Sequence, residues 1–279
     1  MDHAAEGKLV ETDEESDDEL ELPAATLEAL KEFALEQHLD VNISSMETLR
    51  EQIQEKCDIA DKEEIFEYTF SGTNEEQITV ELKGVKKELG QTLSSTGLTI
   101  WRAAEELARF TVENPELFNG KTVLECGAGL GLNGILISKV LKDQANKICI
   151  TDGDDDTLEL LQQNVNSNGP YSGQVSVEKL YWGEHSAFVG RHGEQSFEVI
   201  IGADIIYEKG QIRPLIETVR DLLHPEGIFL LAYARRNVPV EHVLGCAEEN
   251  GLIWSEASSF VPQNSSENIY IFSRTPSCS

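Results

Sequence analysis

Basic residues are scarce in this sequence, in which 22 Lys and Arg face 51 Asp and Glu and the formal net charge is −29. A field of that sign repels phosphate backbones, so we expect no nucleic-acid partner and an attraction for basic protein surfaces. The same excess of acids can also serve solubility alone. Long apolar runs are lacking too. No stretch approaches the roughly 18 apolar residues that a membrane helix needs, so we expect no membrane association.

Cysteine is sparse and scattered. The five cysteines form no Cys-x-x-Cys pair and have no histidine partner in the sequence, so we expect neither a zinc site nor a disulfide framework. They are Cys57, Cys126, Cys149, Cys246 and Cys278. The acidic N-terminal residues are unlike a signal or transit peptide. Together these features predict a cytoplasmic protein, with the nucleus as a second location.

The composition divides the chain into three parts. Residues 1–21 are dense in Asp and Glu and poor in large apolar side chains, so we expect a disordered acidic tail. Residues 22–96 show helical spacing up to about position 57 and then two alternating runs around SGTNEEQ, which predict two short helices and a β-hairpin. The segment GVKKELGQTLSST is the predicted linker to the large domain. Residues 97–279 are long enough for one large domain.

The stretch from Lys121 to Asp152 organises the large domain. It consists of a short apolar strand, a turn that contains Gly127, Gly129 and Gly131, a helix, and a second strand that ends in Asp152. Closely spaced glycines permit a tight turn and a close approach of the backbone to a ligand. A carboxylate after the second strand is placed to accept hydrogen bonds from the two hydroxyls of a ribose. The pattern predicts a nucleotide-binding unit.

Two kinds of ligand fit this unit. Gly129, Gly131 and Gly134 match the GxGxxG spacing of dinucleotide-binding turns, which suggests NAD. Glu125, the acid that precedes the first glycine, would repel a pyrophosphate and attract the ammonium group of S-adenosyl-L-methionine. The acid therefore favours S-adenosylmethionine over NAD, and neither ligand calls for a metal.

Beyond Asp152, strands alternate with helices of 10 to 15 residues. Apolar runs occur in QVSVEKLYWG, FEVIIGAD and GIFLLAYARR, and LIWSEASSF and NIYIFSR form a closing pair. The run QVSVEKLYWG predicts a strand that ends in Trp182 and Gly183. The run FEVIIGAD is apolar almost throughout, as expected for a strand buried on both faces, and it ends at Asp204. The segment IIYEKGQIRPLIETVRDLLHPEG predicts a helix directly after it, closed by His224, Pro225 and Gly227. The alternation predicts an α/β protein with a doubly wound, parallel, Rossmann-like sheet.

Four segments together carry a more specific signature: TGLTIWRAAEELARF, LECGAGLGLNG, LYWGE and GADIIYE. In combination they resemble the class I S-adenosylmethionine-dependent methyltransferases, and within them the protein-lysine methyltransferases of methyltransferase family 16. The resemblance covers about residues 97–274 and implies a seven-stranded sheet with an antiparallel last strand. The residues that it assigns to the cofactor are Trp101, Glu125, Gly127, Ala128, Gly129, Gly131, Asp152, Trp182 and Ala203.

Asp204 and Tyr207 match the family's DxxY signature and are the candidate catalytic residues. They follow a strand at the sheet edge where open α/β sheets bind ligands. Asp204 is placed to orient an incoming lysine, and the ring of Tyr207 can face its cation. A purely structural role would make them a polar strand end followed by a half-buried tyrosine.

The resemblance implies a monomeric protein-lysine N-methyltransferase that acts on a non-histone protein. The run from Ser95 to Lys139 is most similar to elongation factor 2 lysine methyltransferases, whereas ITDGDDDTL and LLAYARRNV are closer to calmodulin lysine methyltransferases. Elongation factor 2 and calmodulin are therefore both candidate partners. Three further functions stay open at this point: a small-molecule methyltransferase, an NAD-dependent oxidoreductase and a non-catalytic interaction protein.

Overall fold

The computed structural model describes residues 63–72, 76–85, 96–141, 147–234, 238–257 and 267–275. They all lie in one compact unit, Ile53–Ser279. The predicted acidic tail, the two predicted N-terminal helices and most of the predicted linker lie outside the described residues. The division at residues 21 and 96 therefore stays a prediction.

The strands form a hairpin and a seven-stranded sheet. They are β1 Glu63–Ser71, β2 Gln77–Val85, β3 Thr122–Glu125, β4 Lys147–Asp152, β5 Gln174–Lys179, β6 Phe197–Ala203, β7 Leu223–Ala234, β8 Leu252–Glu256 and β9 Glu267–Arg274. The order across the sheet is β5-β4-β3-β6-β7-β9-β8, and β9 is antiparallel to both of its neighbours. The predicted Rossmann-like sheet with an antiparallel last strand is confirmed.

Helices cover both faces of this sheet. They are α1 Arg102–Glu113, α2 Leu132–Val140, α3 Asp155–Asn168, α4 Ser186–His192, α5 Ile212–Leu222 and α6 Val240–Glu249. One hydrophobic core contains side chains of α1, α2, α3 and the hairpin, and a second contains side chains of α4, α5 and α6. Strand β6 is buried along most of its length because it lies between these two cores. In the described part of the chain, no helix is both long and apolar enough to span a membrane.

The predicted hairpin is present, and two asparagines of α3 fix it to the domain. Asn164 accepts a hydrogen bond from the Lys83 N–H at 2.8 Å and donates one to the Lys83 carbonyl at 3.0 Å. One turn later, Asn168 makes the same pair of contacts with the backbone of Glu81. The amide side chains thus satisfy the edge of β2 as a neighbouring strand would. The hairpin and the sheet therefore belong to one packed body.

Three boundaries differ from the sequence prediction. The helix predicted directly after Asp204 begins only at Ile212, because the intervening residues form a wall of the site described below. It ends at Leu222, and the following strand starts at Leu223, ahead of the predicted stop at His224. Strand β5 ends at Lys179, so Trp182 lies in a loop. Helix α4, which the sequence did not predict, follows that loop.

Candidate active site

A cavity of about 570 Å³ opens at the carboxyl ends of β3, β4 and β6. This is the edge at which an open α/β sheet binds ligands. The cavity brings together every predicted site residue except Gly131: Trp101, Glu125, Gly127, Ala128, Gly129, Asp152, Trp182, Ala203, Asp204 and Tyr207. Residues from separate segments of the chain thus meet in one concave site.

The turn after β3 requires glycine for two different reasons. Gly129 has a φ of +53°, and a Cβ atom there would lie 3.0 Å from the carbonyl oxygen of Gly97, so the turn has no room for a side chain. Gly131 has a φ of +88°, but its Cβ would meet Leu161 in the core at 2.5 Å. Gly131 precedes α2 and is not among the lining residues. The structure therefore gives Gly131 a packing role in the turn and does not place it against the ligand space.

Glu125 ends β3 and is almost fully buried, with 3% of its surface exposed. Its Oε2 accepts the Gly134 N–H at 2.9 Å, and the Asn133 side chain donates to it as well. Burial raises the pKa of this carboxyl to about 8, although the hydrogen bonds from Gly134 and Asn133 oppose the rise. A cation in the cavity would restore the charge of Glu125, whereas a pyrophosphate would suppress it further.

Asp152 ends β4 and shapes the same turn from the other side. Its Oδ2 accepts the Gly129 N–H at 3.0 Å, and its Oδ1 accepts the Asp154 N–H at 3.1 Å. Burial raises the pKa of this carboxyl, and the backbone donors partly offset the effect. The carboxylate lies in the cavity wall, where its remaining lone pairs can accept hydroxyl donors.

Two tryptophans line the cavity near this turn. The indole N–H of Trp101 donates to the carbonyl of Thr96 at 2.9 Å, which fixes the ring just before α1. The Trp182 ring reaches the glycine turn, because a Cβ at Gly127 would lie 3.3 Å from its Cζ2. The loop that carries Trp182 is held by a hydrogen bond of 2.9 Å from the Gly183 N–H to the Thr218 hydroxyl. Both tryptophans are thus held in place by hydrogen bonds, one through its ring and one through its loop.

Asp204 lies directly after β6 in a backbone conformation that non-glycine residues rarely adopt. Its φ is +59°, its N–H donates to the Ala232 carbonyl at 2.9 Å, and 7% of its surface is exposed. A non-glycine residue in the left-handed region carries strain that the surrounding structure must offset, and such residues cluster at functional sites. Tyr207 is 44% exposed and lines the cavity together with the exposed Tyr181.

Three lining residues that sequence reasoning missed carry unpaired polar atoms. In the part of the chain that the structure describes, the buried side-chain atoms without a hydrogen-bond partner are Thr99 Oγ1, Asn133 Oδ1 and Gln211 Oε1. All three residues line this cavity. Buried polar atoms are normally satisfied, so the two amide oxygens and the hydroxyl indicate a ligand that brings hydrogen-bonding groups. Asn133 had a detectable signal, since it is a polar residue in the otherwise apolar first turn of α2.

These features fit S-adenosylmethionine. The acid and the unpaired amide oxygen at Glu125 and Asn133 suit an ammonium group, and Asp152 suits ribose hydroxyls. The partly apolar space lined by the two tryptophans suits a purine ring. NAD fits less well because its pyrophosphate would face Glu125.

The strand order and the position of the cavity are those of a class I S-adenosylmethionine-dependent methyltransferase. Among solved structures, SMU.776, a putative methyltransferase complexed with SAH, is 12% identical to this chain, with a TM-score of 0.50 over 74% of this chain and 55% of that chain. This likeness shows the fold alone. A family model described as lysine methyltransferase matches residues 84–249, which is more than half of the chain. The chain belongs to the lysine methyltransferase family.

Curated relatives agree with this family. Calmodulin-lysine N-methyltransferase of Arabidopsis thaliana is 31% identical over 47% of this chain and 42% of its own length. Protein-lysine N-methyltransferase EEF2KMT of Homo sapiens is 35% identical over 46% of this chain and 41% of its own length. The chain thus spans less than half the length of these two relatives. The split resemblance seen in the sequence recurs, since both subfamilies match.

Proposed function

We propose that this protein transfers a methyl group from S-adenosylmethionine to a lysine side chain of another, non-histone protein. One observation carries the proposal: Glu125, Asp152 and Asp204 lie at the carboxyl ends of three strands of the sheet and line one cavity. The first two suit the cationic and ribose ends of the donor, and the third suits the incoming amine. Membership of the lysine methyltransferase family supports the same activity.

The donor end of the cavity would bind by charge and hydrogen bonding. When bound, S-adenosylmethionine supplies an electrophilic methyl group on a positively charged sulfur. Glu125 and Asn133 would hold the ammonium group, and Asp152 would hold the ribose while it keeps its bond to the Gly129 N–H. Trp101 and Trp182 would close the walls around the ligand and exclude water.

The other end of the cavity would receive the lysine. A lysine attacks only as a neutral amine, and withdrawal from water favours loss of its proton. Asp204 is buried and lines the cavity. It would accept hydrogen bonds from the arriving amine and so orient the lone pair of the amine nitrogen. The more exposed Tyr207 would contact the cationic side chain through its ring before the proton is lost. No metal is assigned a part in this scheme.

The first candidate for the substrate is a translation elongation factor, and the second candidate is calmodulin. The support is the similarity to relatives whose names include EEF2KMT and calmodulin-lysine N-methyltransferase. The net charge of −29 favours a target with a basic, lysine-rich surface.

A transfer assay tests the proposal. The purified full chain is incubated with tritiated S-adenosylmethionine and, in parallel, with elongation factor 2, calmodulin or a cell lysate, and the labelled bands are digested for mass spectrometry. We expect methyllysine in a protein band, its loss in Asp204→Ala, and full labelling in Asp156→Asn, which alters an exposed acid outside the cavity. Label that appears only in small molecules would contradict a protein substrate.

We also propose a cytoplasmic, monomeric protein. Cys126, Cys149 and Cys246 are free thiols, which supports a reducing compartment. Cell fractionation and light scattering of the purified chain test the two statements separately.

A further inference from the structure

Three potential metal ligands converge away from the methyltransferase cavity. They are Cys149 in β4, Glu178 in β5 and His192 at the end of α4, and their ligand atoms all lie within 4.8 Å of one another. Cys149 Sγ is 3.7 Å from Glu178 Oε1, and His192 Nε2 is 2.9 Å from the same oxygen. None of the three residues lines the active-site cavity.

These separations are close to those of a tetrahedral zinc site. Bond lengths of about 2.3 Å to sulfur and about 2.0 Å to nitrogen and oxygen place the sulfur about 3.5 Å from the oxygen, and the nitrogen about 3.3 Å from it. The observed 3.7 Å and 2.9 Å differ only slightly from those values. We propose that Cys149, Glu178 and His192 form a binding site for a divalent transition-metal ion, with zinc the best match to a thiolate, imidazole and carboxylate set.

Neighbouring groups already orient the ligands. Arg191 donates to the other carboxylate oxygen of Glu178 from Nε at 3.1 Å and from Nη2 at 2.9 Å, which leaves Oε1 directed at the cysteine and the histidine. The ring of His192 stacks on Phe188 with centroids 4.3 Å apart. Metal ligands are commonly fixed by such outer contacts, which orient them and tune their basicity.

Both oxygens of the Glu178 carboxylate are already engaged, since Oε2 accepts a hydrogen bond from Arg191 and Oε1 forms one with His192 Nε2 at 2.9 Å. Binding of a divalent ion requires that His192 gives up its hydrogen bond to Oε1 and presents the same nitrogen to the metal.

An entry path leads to the site. A second cavity of about 410 Å³ is lined by Cys149 and His192, and also by Thr122, Lys147 and Gln174, which begin β3, β4 and β5. It therefore opens at the amino ends of the strands, opposite the edge that holds the methyltransferase cavity. The space admits an ion and a water molecule as the fourth ligand.

Binding exchanges protons for the ion. A thiol binds a metal ion as the thiolate, so the ion displaces the Cys149 proton to solvent as the sulfur–metal bond forms. Affinity therefore rises with pH. The sequence contains no local motif for this cluster, because the three ligands are separated by 29 and 14 positions and come from three elements.

Cobalt binding to the full chain tests the site. The chelator-treated protein is titrated with Co²⁺, and the thiolate-to-cobalt charge-transfer band is recorded. We expect one equivalent, displacement of the band by Zn²⁺, and its loss in Cys149→Ser and in His192→Gln. Cys246→Ser, which changes a free thiol outside the cluster, should keep it.

The outcomes separate the site from incidental binding. Absence of a thiolate band in the wild type, or a band that persists in Cys149→Ser, would overturn the proposal. Binding of S-adenosylhomocysteine by both variants serves as the folding control, because the cluster shares no residue with the active-site cavity. If Cys149→Ser fails this control, His192→Gln decides the question.

Discussion

Replacing Glu125 with glutamine should stabilise the protein at alkaline pH and weaken its ligand binding. The carboxyl has a pKa of about 8 in the folded protein against an ordinary value of 4.5, because burial disfavours its charge. Below pH 4.5 the carboxyl is protonated in both the folded and the unfolded chain, so it does not lower the free energy of unfolding. As the pH rises towards 8 the unfolded chain ionises freely and the folded chain does not, so stability is progressively lost. Integration gives a loss of about 3 to 4 kcal/mol between about pH 5 and pH 8.

Glutamine keeps the useful contacts of this site without the charge. Its side-chain oxygen can still accept the Gly134 N–H, and its amide can donate to Asn133 Oδ1, which has no partner among the described residues. Glu125→Gln should therefore melt close to the wild type at about pH 5 and on the order of 10 °C higher at about pH 8. Glu194→Gln, at an exposed acid, is the matched control and should follow the wild-type profile.

The same variant tests the assignment of Glu125 to a cationic ligand group. Because binding must ionise Glu125, the wild-type affinity for S-adenosylhomocysteine should rise with pH between about 6 and 8, by up to about tenfold per pH unit. The variant should bind more weakly and show no such slope. Thermal melts and calorimetry across this pH range provide both readouts. Parallel stability profiles for the wild type and Glu125→Gln would refute the reasoning.

Three further substitutions follow from the structure. Asp204→Ala should lower turnover by orders of magnitude with little change in S-adenosylhomocysteine affinity, since the lost contact is with the lysine. Parallel loss of turnover, affinity and melting temperature would remove Asp204 from the catalytic residues. Asp204→Asn controls for backbone strain, because asparagine tolerates the positive φ. Asn133→Leu should weaken S-adenosylhomocysteine but not 5′-methylthioadenosine, which lacks the amino-acid end; equal weakening in calorimetry would contradict the assignment. Asn164→Ala removes bonds to Lys83 and Leu130 and should cost about 2 to 4 kcal/mol in urea unfolding; a loss below about 1 kcal/mol would show that the hairpin is held by other contacts.

The sequence predicted the site best where local pattern and topology agree. Glu125 and Asp152 each end an apolar strand, and parallel neighbouring strands bring their carboxyl ends to one edge, so their meeting in the cavity follows from the strand assignments. Asp204 follows the third such strand. The glycine spacing was less informative, because it does not distinguish Gly129, which lines the cavity, from Gly131, which packs against the core.

Features that depend on tertiary contacts were missed. Helix α4 spans only seven residues, too few for a helical period to show. Asn164 lies beside Leu161 and Val165 on α3 and is fully buried, yet a polar residue on an apolar face gives no hint that its partner is a strand 81 positions away. The delayed start of α5 has the same origin, since cavity geometry overrides helix propensity there.

Calorimetric titration of the full chain with S-adenosylhomocysteine and with NAD tests the central claim most directly. We expect S-adenosylhomocysteine to bind one site per chain and NAD to give no binding heat, because the cavity presents Glu125 where a pyrophosphate would have to lie. Binding of NAD at the same site, or no binding of either ligand to the folded protein, would contradict this claim.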